Sequence, residues 1–203
     1  MANGLVLHQM QMSGNCYKIR LATHQLGIAL TLKDYPLHGG ETRTPQFLAK
    51  NPNGRVPMLE FPDGRVLSES GAILFHLSEG TKLQPIEPWA RAQMLQWMFF
   101  EQYSHEPYIA VARYWLAYAA KDALEKKRHL VPEWHAKGNA ALGVMESHLR
   151  QNDWFAGGAY SIADIALYGY THAAAEGGFD VSAYPAVESW LARVREQPGH
   201  VAL

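Results

Sequence analysis

Ser13-Gly14-Asn15-Cys16 is the segment of this chain whose residue types and spacing most directly suggest chemistry. It follows Leu5-Val6-Leu7, a short apolar run with β-branched content, and precedes Ile19, Ala22 and Leu26, which recur at helical spacing. That order reads as strand, loop, helix, with Gly27 as the stop. Ser13 therefore lies just ahead of a helix N-terminus, where backbone N–H groups lack intrahelical partners and the macrodipole is positive, so an anion is stabilised there. Two readings are open. Ser13 or Asn15 caps the helix by accepting a backbone N–H, or the Ser13 hydroxyl donates to a thiolate carried by a ligand. Helix N-termini lower thiol pKa values from about 8.5 to roughly 3.5–7.5 in favourable sites, so the second reading has a physical basis.

The elements that must hold such a site divide at a change of composition. All six tryptophans, at 89, 97, 115, 134, 154 and 190, lie beyond Pro88. We read residues 1–80 as one domain, 81–88 as a linker and 89–203 as a second domain. In the first, Leu30 to Tyr35 reads as a strand, Thr44-Pro45 opens a short helix, and Pro57 to Phe61 with Arg65 to Leu67 form a hairpin about Asp63-Gly64. A helix from Ser70 to Ser78 completes a β-α-β-α-β-β-α unit. The second part is helical almost throughout. One long segment runs from Pro88 to about Ala120 with a kink at Pro107, and further helices lie near 132–151, 161–176 and 185–197. Ser161-Ile162-Ala163-Asp164 has the spacing of a capping box.

Composition excludes several functions. The formal charge of -1 over 203 residues, with no basic stripe, argues against nucleic acid as a main partner. No apolar run reaches membrane-spanning length and the N-terminus lacks the pattern of a signal peptide, so no membrane association and a cytoplasmic location are expected. Cys16 is the only cysteine, which rules out an intramolecular disulfide and thiolate-rich metal sites. The ten histidines do not form H-E-x-x-H, and no Gly-x-Ser-x-Gly or nucleotide-binding glycine loop is present. No metal is expected.

Ser-x-x-Cys, Asn53-Gly54-Arg55-Val56-Pro57, Glu69-Ser70 and the Ser161 helix start, in this order on this predicted succession of elements, resemble the cytosolic glutathione transferase family. The active-site pattern resembles its bacterial, serine-type, theta-like form, and the likeness covers nearly the whole chain. It implies an α/β + all-α protein, with a thioredoxin-like N-terminal domain (β-α-β-α-β-β-α) that binds glutathione and an all-helical C-terminal domain that binds the second substrate. It further implies that Ser13 holds the glutathione thiolate and that a cis Val56–Pro57 bond turns the main chain of Val56 toward the cysteinyl part. Ser70 and Glu69 would hold the γ-glutamyl carboxylate and ammonium. Arg55 would hold the glycyl carboxylate, with Thr42 or Arg43 as further candidates. Taken without the resemblance, Pro57 also suits the start of an edge strand, Glu69-Ser70 suits a helix start, and Arg55 suits solvated surface.

On the substrate side the resemblance makes Tyr103, Glu106 and Arg113, near the kink, candidates for a pocket that takes a small hydrophobic electrophile, although aromatic residues at helical spacing equally suit core or interface. The C-terminal end would help to cover this pocket. It also implies a homodimer in which Glu101 or Gln102 reaches the ammonium held by the partner. The expected activity is that of a glutathione S-transferase, with glutathione as cosubstrate, which conjugates electrophiles or reduces organic hydroperoxides. Two alternatives stand beside it: a non-catalytic binding or scaffold protein on the same fold, and a disulfide oxidoreductase that depends on Cys16. A lone cysteine on a helix also reads as a small buried hydrophobe.

Overall fold

A computed structural model describes residues 4–203, which form two compact units. The first runs to Thr81 and includes Pro198–Leu203; the second spans Lys82–Gln197.

The first unit contains β1 (Val6–Gln9), α1 (Gly14–Leu26), β2 (Thr31–Asp34), α2 (Pro45–Lys50), β3 (Met58–Glu60), β4 (Val66–Ser68) and α3 (Ser70–Ser78). The element order expected from the sequence is present. The sheet has the order β2-β1-β3-β4, with β1 parallel to β2 and both other pairs antiparallel. Pairing of His8 with Lys33 and Met58, and of Glu60 with Val66, places these side chains on one face by the two-residue period of a strand. That face carries a small core of Tyr35, Phe47 and Met58, closed by Phe47 of α2. Leu7, Gln9, Leu59 and Leu67 occupy the other face, where Arg20 of α1 donates to Gln9, and α1 packs beside α3.

Strand β1 extends two residues past its apolar run. His8 and Gln9 are buried, and their polar groups are met by side chains of the sheet, of the residues just beyond its strands and of α1. Gln9 Nε2 donates to Asp34 at 2.7 Å, and both ring nitrogens of His8 are engaged, as described below. Pro57 precedes β3 rather than opening it, since it has no N–H to give the ladder. Gly27 ends α1 in the left-handed conformation, φ 66°, and its N–H closes on His24 O.

The second unit is helical: α4 (Pro88–Phe100), α5 (Glu106–Arg113), α6 (Lys121–Glu125), α7 (Val131–Leu149), α8 (Ile162–Thr171) and α9 (Pro185–Arg195). The expected single helix from Pro88 to Ala120 is interrupted by two π-turns, at 101–105 and 114–118. The first accommodates Pro107. One extra residue enters the turn ahead of it, and Glu106 N–H bonds five residues back to Glu101 O. Helix α6 has no counterpart in the sequence reading. The helix expected over 161–176 ends at Thr171, and a short 3₁₀ turn at Ala174–Gly177 follows.

Residues 198–203, expected to belong with the helical domain and to cover its pocket, lie instead on α1. The Tyr17 hydroxyl donates to Val201 O at 2.6 Å, and His24 Nδ1–H donates to Gly199 O at 2.8 Å.

The capping box at α8 forms as its spacing predicts, and it organises the second core. Asp164 is fully buried and accepts from Ser161 N (2.9 Å), Ser161 Oγ (3.1 Å), Phe155 N (3.3 Å) and Trp190 Nε1 (3.0 Å). One carboxylate thus joins the start of α8, the 155 loop and α9. Burial pushes its pKa up to about 6 from an ordinary 3.8, against those donors. Because the folded value is the higher one, its contribution to stability is complete below pH ~4 and falls as pH rises through ~6. Asp164→Ala should lower unfolding free energy by about 3–5 kcal/mol, since it leaves buried donors unpaired. Urea unfolding of both proteins should show that deficit shrinking from pH 4 to pH 7.

Candidate functional site

The expected glutathione-binding residues all lie in the first unit: after β1, at the passage from β4 to α3, on the turn before β3 and, for Thr42, on the 3₁₀ turn at Glu41–Arg43 that precedes α2. Ser13 is the N-cap of α1. Its backbone is extended, φ -76° and ψ 121°, and its Oγ accepts Cys16 N–H at 3.3 Å. The cap uses an acceptor position of a hydroxyl that has one donor and two acceptors. Capping and donation to a ligand anion are therefore compatible roles for this one side chain. Cys16 is fully buried, and burial pushes its thiol pKa up, against the Ser13 hydroxyl and the Met10 N–H. A buried thiol held protonated is a poor nucleophile.

Helix α3 brings the second group. Ser70, its first residue, is buried and donates from Oγ to Asn15 Oδ1 at 3.1 Å. The same oxygen accepts Lys18 Nζ at 2.7 Å, and Lys18 is itself only 1% exposed. Asn15 thus ties the first turn of α1 to the first turn of α3 and sets a buried ammonium behind them. From sequence alone Asn15 is only a possible cap. The i, i+3 spacing of Asn15 and Lys18 was the available signal, and the link to Ser70 crosses 55 residues. Glu69 precedes α3 with φ 69°, the left-handed φ of a non-glycine residue, which carries strain of order 1–3 kcal/mol. Its side chain is exposed and receives Asn53 Nδ2 at 3.4 Å.

The third group is the turn ahead of β3. The Val56–Pro57 bond is cis. Asn51 shapes the approach: its Nδ2 donates to Arg55 O at 2.8 Å and its Oδ1 accepts Asn53 N–H at 3.1 Å. Gly54 has φ 62°, and a Cβ there would meet Arg43 Nη1 at 2.6 Å and Thr42 O at 2.9 Å. This close approach places Thr42 beside the Arg55 turn. Arg43 is occupied structurally and donates to Asn53 O at 2.9 Å. The Arg55 side chain is exposed.

The three substrate-pocket candidates are not brought together. Tyr103 is 84% exposed and lines a shallow hollow of about 270 Å³ with Phe100, Tyr108 and Val144. Glu106 accepts from Gln102 Nε2 at 2.5 Å, and the same amide donates to the buried Glu101 at 2.7 Å. Arg113 is buried in the second unit. It is 3% exposed, donates from Nε to Glu176 at 3.0 Å and from Nη2 to Tyr118 at 2.8 Å. Its partner Glu176 lies too far along the chain for helical spacing to reveal. Among the described residues no group of histidine, cysteine and carboxylate side chains could hold a metal ion, and no helix is long and apolar enough to cross a membrane.

Comparison with known proteins agrees with this arrangement. Residues 4–79 match the family model of the glutathione S-transferase N-terminal domain, and residues 94–198 that of the C-terminal domain. A glutathione S-transferase from Pseudomonas fluorescens [Pf-5] is 49% identical, with a TM-score of 0.94 over 98% of each chain. A structure described as a possible glutathione S-transferase from Rhodopseudomonas palustris is also 49% identical, with a TM-score of 0.94 over 98% of this chain and 90% of that one. The disulfide-bond oxidoreductase YfcG of Escherichia coli (strain K12) is 30% identical over 91% of this chain and 87% of its own length. The two-domain fold and both family matches together make this chain a member of the glutathione S-transferase family.

Proposed function

We propose that this protein binds glutathione in its first unit and transfers the thiol to small hydrophobic electrophiles, with Ser13 as the catalytic donor to the thiolate. The observation that carries this reading is the bond between Asn15 and Ser70, which fixes an uncapped helix start next to a capped one. Glutathione needs two such places, one for the thiolate of its central cysteinyl residue and one for the carboxylate of the neighbouring γ-glutamyl residue.

In this reading the Ser13 hydroxyl and the first turn of α1 stabilise the sulfur anion. Val56 pairs through its main chain with the cysteinyl residue. The backbone N–H of Ser70 takes the γ-glutamyl carboxylate, because its hydroxyl hydrogen is already given to Asn15. The Ser70 oxygen and the Glu69 carboxylate are then left as acceptors for the ammonium, while Arg55, with Thr42 beside it, faces the glycyl end. Catalysis comes from ionisation of the thiol and from holding it beside the electrophile. The same thiolate is competent to reduce an organic hydroperoxide. Full burial of Cys16 disfavours a mechanism that proceeds through a mixed disulfide on this residue. A non-catalytic role would not require Ser13, the cis Val56–Pro57 turn and Glu69-Ser70 in one unit.

Homodimer formation is part of the proposal. Trp89 and Phe99 of α4 are 70% and 69% exposed and Tyr103 is more so, a set of large apolar side chains that water solvates poorly. Sedimentation equilibrium should give about twice the chain mass of 22.7 kDa. A fully active monomer would remove the dimer from the account.

Retention on immobilised glutathione together with conjugation of a generic aryl halide tests the activity, and retention without turnover would favour a binding protein. Ser13→Ala should lower kcat by roughly 10–1000-fold, the loss of a charge-assisted or oxyanion-type donor, with little change in glutathione affinity. Ser70→Ala and Glu69→Gln should instead raise the glutathione KM more than they lower kcat, because they act on a part of the ligand remote from sulfur. Initial-rate kinetics at varied glutathione separates the two patterns.

A further inference from the structure

The sheet face away from α1 carries a cavity of about 340 Å³ that shares no residue with the proposed glutathione site. Its walls are His8 and Lys33 of the sheet, Tyr35 just after β2, and Glu41, Thr44, Gln46, Phe47 and Lys50 of the segment that ends in α2. This volume lies near the lower end of the range for small-molecule sites.

The inner wall is fixed. His8 is 2% exposed; its Nε2–H donates to Glu60 at 2.9 Å, which leaves Nδ1 to accept the Tyr35 hydroxyl at 2.8 Å. Burial, the largest influence, lowers the His8 pKa, so the ring is neutral at physiological pH. Glu60 also accepts Lys50 Nζ at 2.6 Å, and the pair cancels its own charge. The Tyr35 and Phe47 rings meet edge to face, with centroids 5.3 Å apart at 81°, and provide an apolar wall. Two charges on the lining have no salt bridge among the described residues: the Lys33 ammonium, 5.8 Å from the Tyr35 ring centroid, and the Glu41 carboxylate.

Those two residual charges sum to zero. A polyanion such as a nucleotide would meet Glu41 unfavourably, and a metal ion would find one carboxylate and a histidine with both nitrogens engaged. A small molecule that is neutral overall but carries one carboxylate and one ammonium, with an apolar group for the aromatic wall, matches Lys33, Glu41 and the Tyr35–Phe47 wall. We propose that this cavity is a second ligand site, which binds a free α-amino acid with an aromatic or large aliphatic side chain, its carboxylate on Lys33 and its ammonium on Glu41. The site is independent of the glutathione reading, since neither its residues nor its ligand enters that chemistry.

Isothermal titration of the full chain with L-phenylalanine tests this, with 3-phenylpropionate and 2-phenylethylamine as probes that each lack one charge. The expected result is a Kd of about 1 mM or tighter for phenylalanine, and weaker binding of both single-charge probes. Lys33→Ala and Glu41→Ala should each reduce phenylalanine affinity roughly tenfold or more, the loss of one charge-assisted contact. Lys33→Ala should preferentially spare the amine, and Glu41→Ala the acid. The titration is repeated with saturating S-hexylglutathione. Retained binding supports a separate cavity. Binding abolished by S-hexylglutathione and indifferent to both substitutions would assign the amino acid to the γ-glutamyl position and overturn the proposal, as would no binding by the wild type.

Discussion

One side-chain carbonyl holds the candidate site together. Asn15 Oδ1 accepts the Lys18 ammonium and the Ser70 hydroxyl, both buried. Removing this acceptor would take one hydrogen-bond partner from a buried ammonium and one from a buried hydroxyl, each at a cost of about 1–3 kcal/mol. The bond therefore fixes the starts of α1 and α3 relative to one another. Two partly positive helix ends held at constant separation can recognise a peptide with an anion at each place. Neither helix start would do so alone.

The rest of the first unit serves this constraint. The parallel β1–β2 pair and the antiparallel hairpin bring the loop after β1, the turn before β3 and the start of α3 together in one unit. Glu69 accepts a left-handed backbone at the point where the chain leaves β4 for α3. Strain of this kind persists where neighbouring structure overdetermines it, and here the Ser70 bond and the Asn53 contact supply the neighbours. In the second unit Asp164 plays the comparable part, one buried acceptor with four donors that joins three segments. Both units thus rely on a polar hub, half-buried at Asn15 and fully buried at Asp164, which specifies one arrangement where apolar packing alone would tolerate several.

Local chemistry was legible in the sequence, and long-range pairing was not. Ser13, Thr44 and Ser161 announced helix starts because capping depends on residues two or three apart, and Gly27 announced a stop for the same reason. The burial of His8 and Gln9 was not legible, since groups that satisfy them, Tyr35, Glu60 and Asp34, lie 25 to 52 residues away. The ion pair of Arg113 was not legible because its partner Glu176 lies 63 residues on. Pro107 correctly marked a disturbance of the long helix, but the form it takes, a π-turn ahead of the ring, depends on how Glu106 finds its acceptor. The Ser13 and Glu69-Ser70 positions were readable through the family pattern; the Asn15 bridge that couples them was readable only in three dimensions.

The central claim is that the start of α1, with Ser13, makes glutathione an anion at sulfur. Spectroscopic titration of the thiol of bound glutathione tests it most directly, with wild-type protein and Ser13→Ala compared at saturation. The account predicts a bound thiol pKa at least about one unit below the free value of roughly 8.5 in the wild type, and a return toward that value in the variant. A bound thiol that titrates like free glutathione, or a lowered value that Ser13→Ala leaves unchanged, would contradict it.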